Sequence, residues 1–405
     1  MSQVDKLPLP QPASAADATR IGFFWGFLML VAGTLCTIVT KAQYGIRAQG
    51  TESCIVNGAV SKDCLFDKPW FGVLEMKLGM AGCLAVVWIQ HLIQKRKNPA
   101  TAENISVSWN TIVWFLVPSS LDLLCTVFAN VGLLWITSSI HQMTKGSLVI
   151  FNAVILVQFM GKRLFAYQYM SIGLVVLAIT LVAYVGVLHS TSAESIDSQV
   201  SHANQVLGFT CVVLSQFVTA WQYVVEEWLL TERQVNPAVL VGWEGLWGLI
   251  FFIVLGPLLT LTAPGSSLTM IWHEDFIDSL VKLSNSPSLV GSVLLFCVCT
   301  GIYNFSASCV TKYLTSVMSS FLDTARALGI WVAALFLYYV AGWTSGDSAG
   351  EPWTPWSWIE LTGFIVLAVG TLMYKKVIRL PIAWLYEAEE NELYLEEKTP
   401  LITTA

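Results

Sequence analysis

Apolar runs recur along this chain from Ile21 to Tyr374, broken by short polar stretches. Each run is about 20 residues, the length an α-helix needs to cross the ~30 Å hydrocarbon core of a bilayer. Ten can be marked, at 21–40, 71–93, 110–134, 138–160, 166–187, 206–230, 237–260, 287–308, 317–341 and 356–374. The turns between 110 and 187 are very short, so those spans are expected to stand as tight antiparallel neighbours. The first run is too long for a signal-peptide core and lacks a clear cleavage site, which marks it as an uncleaved span.

Two of the runs match each other. The fourth reads "SSIHQMTKGSLVIFNAVIL" from Ser138 and the ninth "SSFLDTARALGIWVAALFL" from Ser319. Both open on Ser-Ser, carry a cation seven residues on and then turn apolar, so Lys145 and Arg326 are equivalent positions. The fifth and tenth runs match as well, with "SIGLVVLAIT" from Ser171 beside "LTGFIVLAVG" from Leu361. Five spans repeated must insert with opposite orientation. The expected fold is an all-α membrane protein, ten transmembrane helices forming two inverted five-helix repeats. The chain then divides into a cytoplasmic tail (1–20), a first repeat (21–187), a luminal linker (188–205), a second repeat (206–374) and an acidic cytoplasmic tail (375–405).

Lysine and arginine set the expected sidedness. With the N-terminus inside, 13 of these cations fall on inner segments and 5 on outer ones, which places both termini in the cytoplasm. Four of the five lie in the first outer loop, which weakens the contrast. That loop also holds Cys54 and Cys64, and two thiols close together outside the cytosol favour a disulfide over free cysteines. Asn104 opens an Asn-Ile-Ser sequon on the cytoplasmic side, where it should go unused. "IWHEDFIDSLVKL" before the eighth span puts Trp272, Phe276, Ile277, Leu280 and Val281 at helical spacing. Asp275, Asp278 and Lys282 fall on other faces, so a short amphipathic helix on the outer membrane surface is expected.

Charges inside apolar runs are costly and need a reason. Lys145 sits ~10 Å below the outer edge of its span and Arg326 ~10 Å above the inner edge of its own, at ~1.5 Å per residue. Both fit a water-filled central cavity; a snorkelling or paired side chain is the bland alternative. Asp122, just after Pro118, is a candidate proton relay or cation site, or a structural partner of Lys145. Glu244, among Gly242, Gly245 and Gly248, could take a proton or a cationic group, or serve packing. Of Glu226 and Glu227, one can face inward while the other reaches headgroups, and Gln222 shares a face with Glu226. Asp323 can neutralise Arg326 three residues on. Ser139, Gln142 and Asn304 could bind substrate or join helices. Glu75 and Lys77 are expected at the outer membrane interface.

Composition narrows the function classes. The chain is 55% hydrophobic and 12% charged, unlike a soluble domain, and its net charge of -6 lies mostly in the last twenty residues. No basic stripe suggests nucleic acid. No zincin, nucleophile-elbow or Walker A motif is present, and no Cys/His cluster has zinc spacing, so neither an enzyme nor a cofactor is expected.

"PSSLDLLCTVFANVGLLWITSSIHQMTKGSLVIF", "MGKRL" and "YQYMSIG" resemble the first half of the drug/metabolite transporter superfamily. "WQYVVEEWLL", "GWEGLWG" and "TKYLTSVMSSFLDTARALGIW" are most similar to the sixth F-type branch of solute carrier family 35, and more distantly to chloroquine-resistance-type transporters. The resemblance covers roughly Ile21 to Tyr374. It implies ten helices in inverted halves and solute transport by alternating access, without fixing a substrate. Lys145 where Arg would be expected, and Glu75 and Lys77, depart from the pattern.

In the tail, "EKTPLI" resembles an acidic dileucine sorting signal read by clathrin adaptors, with Glu397, Leu401 and Ile402 as its key residues. The reading is a secondary transporter of a small solute in a lysosomal or vacuolar membrane, with proton coupling as an added expectation. The alternatives are a Golgi nucleotide-sugar transporter and a non-transporting membrane scaffold.

Overall fold

The computed structural model describes residues 15–56, 59–66, 68–97, 108–133, 147–161, 163–193, 202–262, 273–340, 353–374 and 376–387. The helices are α1 (Ala15–Tyr44), α2 (Pro69–Lys97), α3 (Trp109–Trp114), α4 (Leu116–Leu133), α5 (Ser147–Met160) and α6 (Ala166–Ala193). After these come α7 (His202–Thr231), α8 (Pro237–Leu261), α9 (Phe276–Asn285), α10 (Pro287–Tyr313), α11 (Ser316–Tyr339) and α12 (Ser357–Tyr374). Among the described residues, eight helical segments are long and apolar enough to cross a membrane; α5 and the stretch Ala166–Leu181 of α6 are shorter apolar helices. The architecture is that of a helical membrane protein. The first part of the fourth expected span, 138–146, lies outside the described residues. Both ends of the expected linker 188–205 are helical, because α6 and α7 run on into it.

Local chemistry sets the helix ends. Pro237 and Pro287 occupy first-turn positions, where a missing N–H costs nothing, behind caps from Asn236 and Ser286. The Thr315 hydroxyl accepts from the Met318 amide to start α11. The break between α3 and α4 falls three residues before Pro118, whose ring removes a backbone donor.

The helices pack in a reciprocal pattern. α1 lies against α10 and α11, and α7 lies against α4 and α5. α2 pairs with α8, and α6 with α12. The largest core cluster joins α1, α5, α6, α7, α10, α11 and α12 through residues such as Met29, Val149, Val175, Val224, Phe321 and Phe364. Large apolar side chains, among them Phe27, Trp88, Ile253 and Leu294, point outward from the spans. In water such a surface would drive aggregation, whereas in a bilayer hydrocarbon is its natural solvent.

One departure from an all-α reading is a hairpin between α1 and α2. β1 (Arg47–Val56) and β2 (Ala59–Leu65) pair antiparallel, with a register irregularity between Gln49 and Cys54. Cys54 and Cys64 are joined in a disulfide.

The amphipathic helix α9 forms, but its polar face is the buried one. Asp278, Ser279 and Lys282 are buried while Ile277 and Leu280 are exposed. The reason is the hairpin. Asp278 accepts from the amides of Thr51 at 2.7 Å and Glu52 at 2.9 Å, and pairs with Lys282 at 3.0 Å and Lys68 at 3.2 Å. Lys68 also reaches Glu52 at 2.7 Å, and Lys282 donates to the Leu65 carbonyl at 3.3 Å. Glu274, just before α9, accepts from the Trp70 and Phe71 amides at 2.7 and 2.6 Å, supplying a cap for α2 from far along the chain.

This clasp yields two expectations. A Cβ at Gly50 would lie 2.2 Å from Asp278 Oδ1 and 2.8 Å from Lys282 Cε. Gly50→Val should therefore loosen the hairpin, costing about 1–3 kcal/mol of overpacking strain, read as a lower melting temperature. The second concerns acid. Burial alone would push the Asp278 carboxyl up, but the Glu52 amide and the Lys282 and Lys68 ammoniums hold it well below the usual carboxylate range. A carboxyl depressed in this way contributes its full stability above its unfolded value of about 3.9 and loses it only as pH falls below that. Hairpin amide protection, corrected for intrinsic exchange rates, should be unchanged from pH ~7 to ~5 and fall below pH ~4.

Candidate functional site

Four spans each put a charged or amide side chain into one cluster inside the apolar bundle. Lys77 of α2, fully buried, forms an ion pair with Asp122 of α4. Gln222 of α7 donates from Nε2 to Glu226 Oε1 at 3.0 Å and to Glu244 Oε1 of α8 at 3.1 Å. Lys77 and Asp122 act electrostatically on both glutamates. Ser119 of α4 donates to the Glu244 backbone carbonyl at 2.9 Å, tying α4 to α8. One ammonium and three carboxyl groups thus meet around one amide.

Small residues make that meeting possible. A Cβ at Gly245 would lie 2.4 Å from the Ala81 backbone nitrogen, and one at Gly242 2.4 Å from Leu84 Cγ. At Gly248 it would lie 2.5 Å from Lys77 Cδ. α8 therefore rests directly on α2, and the apolar stem of Lys77 fills the space that Gly248 leaves.

A second group lies where α1, α10 and α11 meet. Tyr303 of α10 donates from its hydroxyl to Asp323 Oδ1 at 2.6 Å. Arg326 stands 3.5 Å from the same oxygen, with its guanidinium carbon 5.2 Å from the Tyr303 ring centroid. Gly33 of α1 gives Arg326 its room, since a Cβ there would sit 2.6 Å from Arg326 Cδ. Tyr223 of α7 interacts electrostatically with Asp323, Tyr303 and Arg326 and also with Glu226. Tyr223 thus links the two groups electrostatically.

Of the residues marked in the sequence, Asp122, Gln222, Glu226 and Glu244 come together in the first group, and Asp323 and Arg326 in the second. Asn304 joins neither by hydrogen bond; its amide donates to the Thr300 carbonyl of its own helix at 2.9 Å. Ser139, Gln142 and Lys145 lie outside the described residues, as do Glu397, Leu401 and Ile402. One reading needs correction. Glu227 does not reach headgroups: it is buried and accepts from the Ser316 amide at 2.7 Å, at the start of α11. Lys77 and Glu75 face the protein interior, where both are buried; Glu75 takes a hydrogen bond from Gln43, in the last turn of α1, at 2.7 Å. Lys77 was the main residue missed. Its signal was available: Glu75 is two residues away, on another face of the helix, so Lys77 required a partner from a different span.

The profile of the UAA transporter family matches residues 54–328. An uncharacterized protein of Schizosaccharomyces pombe is 32% identical over 88% of this chain and 98% of its own. Solute carrier family 35 member F6 of Mus musculus is 27% identical over 95% of this chain and 98% of its own. The Homo sapiens protein of that name is 25% identical, again over 95% and 98%. One solved crystal structure aligns with 90% of this chain and 98% of its own at a TM-score of 0.50 and 12% identity, a likeness of fold alone.

Proposed function

Because the chain belongs to the UAA transporter family, we propose that it is a secondary transporter moving a small solute by alternating access between two inverted five-helix repeats. The observation that carries this reading is the polar cluster of Lys77, Asp122, Gln222, Glu226 and Glu244 on four different spans. Charges inside a bundle are costly, and in membrane proteins they mark solute and proton pathways. The reciprocal packing supports the repeat: exchanging the two halves turns the contact of α1 with α10 into that of α7 with α4, and leaves the α2–α8 and α6–α12 pairs in place. On this reading the pathway runs past Asp122, Ser139, Gln142, Lys145, Gln222, Glu226, Glu244, Asn304, Asp323 and Arg326. The domain boundaries stay as the repeat sets them, with both termini cytoplasmic. Proton coupling belongs to the same carboxyl cluster.

The test is uptake into proteoliposomes. Purified chain should drive saturable accumulation of a solute, responsive to an imposed pH gradient, that empty vesicles lack. Single cysteines at 145 and 326 should react with a small polar reagent, with accessibility changing when substrate is present. If both stay unlabelled in every state while a loop control reacts, the shared aqueous pathway is wrong.

The compartment we assign is the lysosomal or vacuolar membrane. Support comes from "EKTPLI", where Pro400 favours an extended approach for Leu401 and Ile402 and Glu397 supplies upstream acidity for a clathrin adaptor. Changing Leu401 and Ile402 to Ala should move the protein to the plasma membrane or Golgi without affecting melting temperature. An unchanged distribution would make the motif incidental. The second reading is a Golgi nucleotide-sugar transporter, which the Arg326 guanidinium favours as a phosphate partner and the three carboxyl groups oppose.

A further inference from the structure

Charge counting around Gln222 points to the class of solute. Lys77 and Asp122 neutralise each other. That leaves Glu226 and Glu244, whose Oε1 atoms accept from the same Gln222 nitrogen at 3.0 and 3.1 Å. The two oxygens are thus at most about 6 Å apart, where two unit charges repel by roughly 3 kcal/mol even at an effective dielectric of ~20. The Gln222 amide has two N–H groups and spends both on this pair, so it has no third donor to offer. The other groups that act electrostatically on the pair are Lys77 from α2 and Asp122 from α4, and Glu226 also interacts with the Tyr223 phenol. Among the described residues, the neighbouring spans bring no further cation to it: Lys312 of α10 donates to the Val235 carbonyl, and Arg326 of α11 lies beside Asp323. Within the described surroundings, the glutamate pair carries more negative charge than its neighbours offset.

We propose that Glu226 and Glu244 form an exchange site at which a monovalent organic cation, of the ammonium or guanidinium type, replaces a proton. The inference rests on the transporter reading and names its substrate class. One carboxyl carries a proton while the site is empty. An arriving cation pairs with the carboxylates, the O–H bond breaks and the proton leaves to water on the open side. On the far side a proton adds to one carboxylate and the cation departs. The charge of the site is the same in both loaded forms, so the exchange is one for one and electroneutral. One feature favours an organic cation over a bare metal ion. Among the described residues, no group of three or more His, Cys, Asp or Glu side chains could hold a metal ion.

The experiment uses the purified full chain in proteoliposomes with a pH-sensitive dye inside. Four solutes are offered separately: tetraethylammonium, sodium, mannitol and a nucleotide sugar. Tetraethylammonium should move against an equal and opposite proton flux, at a rate unaffected by a potassium-valinomycin potential. Glu226→Gln and Glu244→Gln should each lower that exchange by about tenfold or more, as expected when an ion-paired partner is lost. The exposed control Glu232→Gln should leave it unchanged. Melting curves of the same preparations separate misfolding from lost exchange. If a glutamine variant does not fold, wild-type protein in weakly buffered detergent decides: saturating tetraethylammonium should release one proton per chain, and no release overturns the proposal. Uptake of mannitol or the nucleotide sugar without proton flux, with tetraethylammonium excluded, overturns the exchange site and leaves the transporter reading standing. Sodium driving the same proton flux as tetraethylammonium overturns the organic-cation assignment. Failure of every solute to move overturns both readings.

Discussion

Lys77→Met is expected to cost more stability than any other single charge removal in the chain. The ammonium is fully buried and is the ion-pair partner of Asp122. Deleting it leaves Asp122 without that cation in a bundle that already holds Glu226 and Glu244. Breaking a buried pair by removing one partner costs about 3–5 kcal/mol, a large share of the 5–15 kcal/mol that holds a typical domain together. The expected result is a steep loss of monodisperse protein on size exclusion and no measurable transport. The double variant Lys77→Met with Asp122→Asn removes both charges and should recover most of the folded yield, because a neutral pair of similar volume costs far less. Transport should remain impaired if the pair belongs to the pathway. A single Lys77→Met protein that folds and transports like wild type would show that the ion pair neither anchors the bundle nor serves the pathway.

Gly245→Leu is the second large effect. The Cβ it adds would lie 2.4 Å from the Ala81 backbone nitrogen and 2.8 Å from the Lys77 carbonyl oxygen, so backbone, not a flexible side-chain tip, is in the way. The two helices must separate, and Gly248 and Gly242 would lose their contacts with α2 along with Gly245. Overpacking usually costs about 1–3 kcal/mol, and a clash with backbone belongs at or above the top of that range. Gly82 of α2 is the matched control, with nothing within 4 Å of its added Cβ. Gly82→Ala should be neutral or slightly stabilising, by up to about 1 kcal/mol, since glycine is costly in a helix interior. Equal melting temperatures for the two variants would show that close approach of α2 and α8 at Gly245 does not hold the bundle together.

The spans could be read from sequence because hydrocarbon imposes one requirement everywhere, an apolar run of sufficient length. The ends shifted by several residues: α1 opens at Ala15, not Ile21, and α6 continues to Ala193. Terminal turns can continue in water, where hydropathy no longer decides. The hairpin gave no such signal, because β1 reads "RAQGTESCIV", without the alternation of a half-buried strand. Its partner is α9, far along the chain, and Asp278 holds it by accepting backbone amides that no side-chain pattern records. The same reason hid the partner of the charged face of α9. A moment calculated from one helix cannot tell whether its charged face meets water or a buried lysine. In the cluster, the acidic residues stood out because charge inside a span is rare. The pairing of Lys77 with Asp122 did not, since spacing along a chain constrains neighbours within a helix and says little about which helices meet.

The burial of Lys77 also bears on how the chain is made. A lysine at the middle of a lone helix costs about 2.5–3.5 kcal/mol on insertion scales, and α2 carries Glu75 as well. Its first compensation is Asp122, which emerges from the ribosome soon afterwards. Its glycine-lined seat on α8 is synthesised much later, after α7. Until then α2 is a poor client for lateral release from the translocon. It would have to be retained near the channel or held by a membrane chaperone. A chain arrested before Pro237 should crosslink to that machinery from α2, and one extended past Leu261 should not.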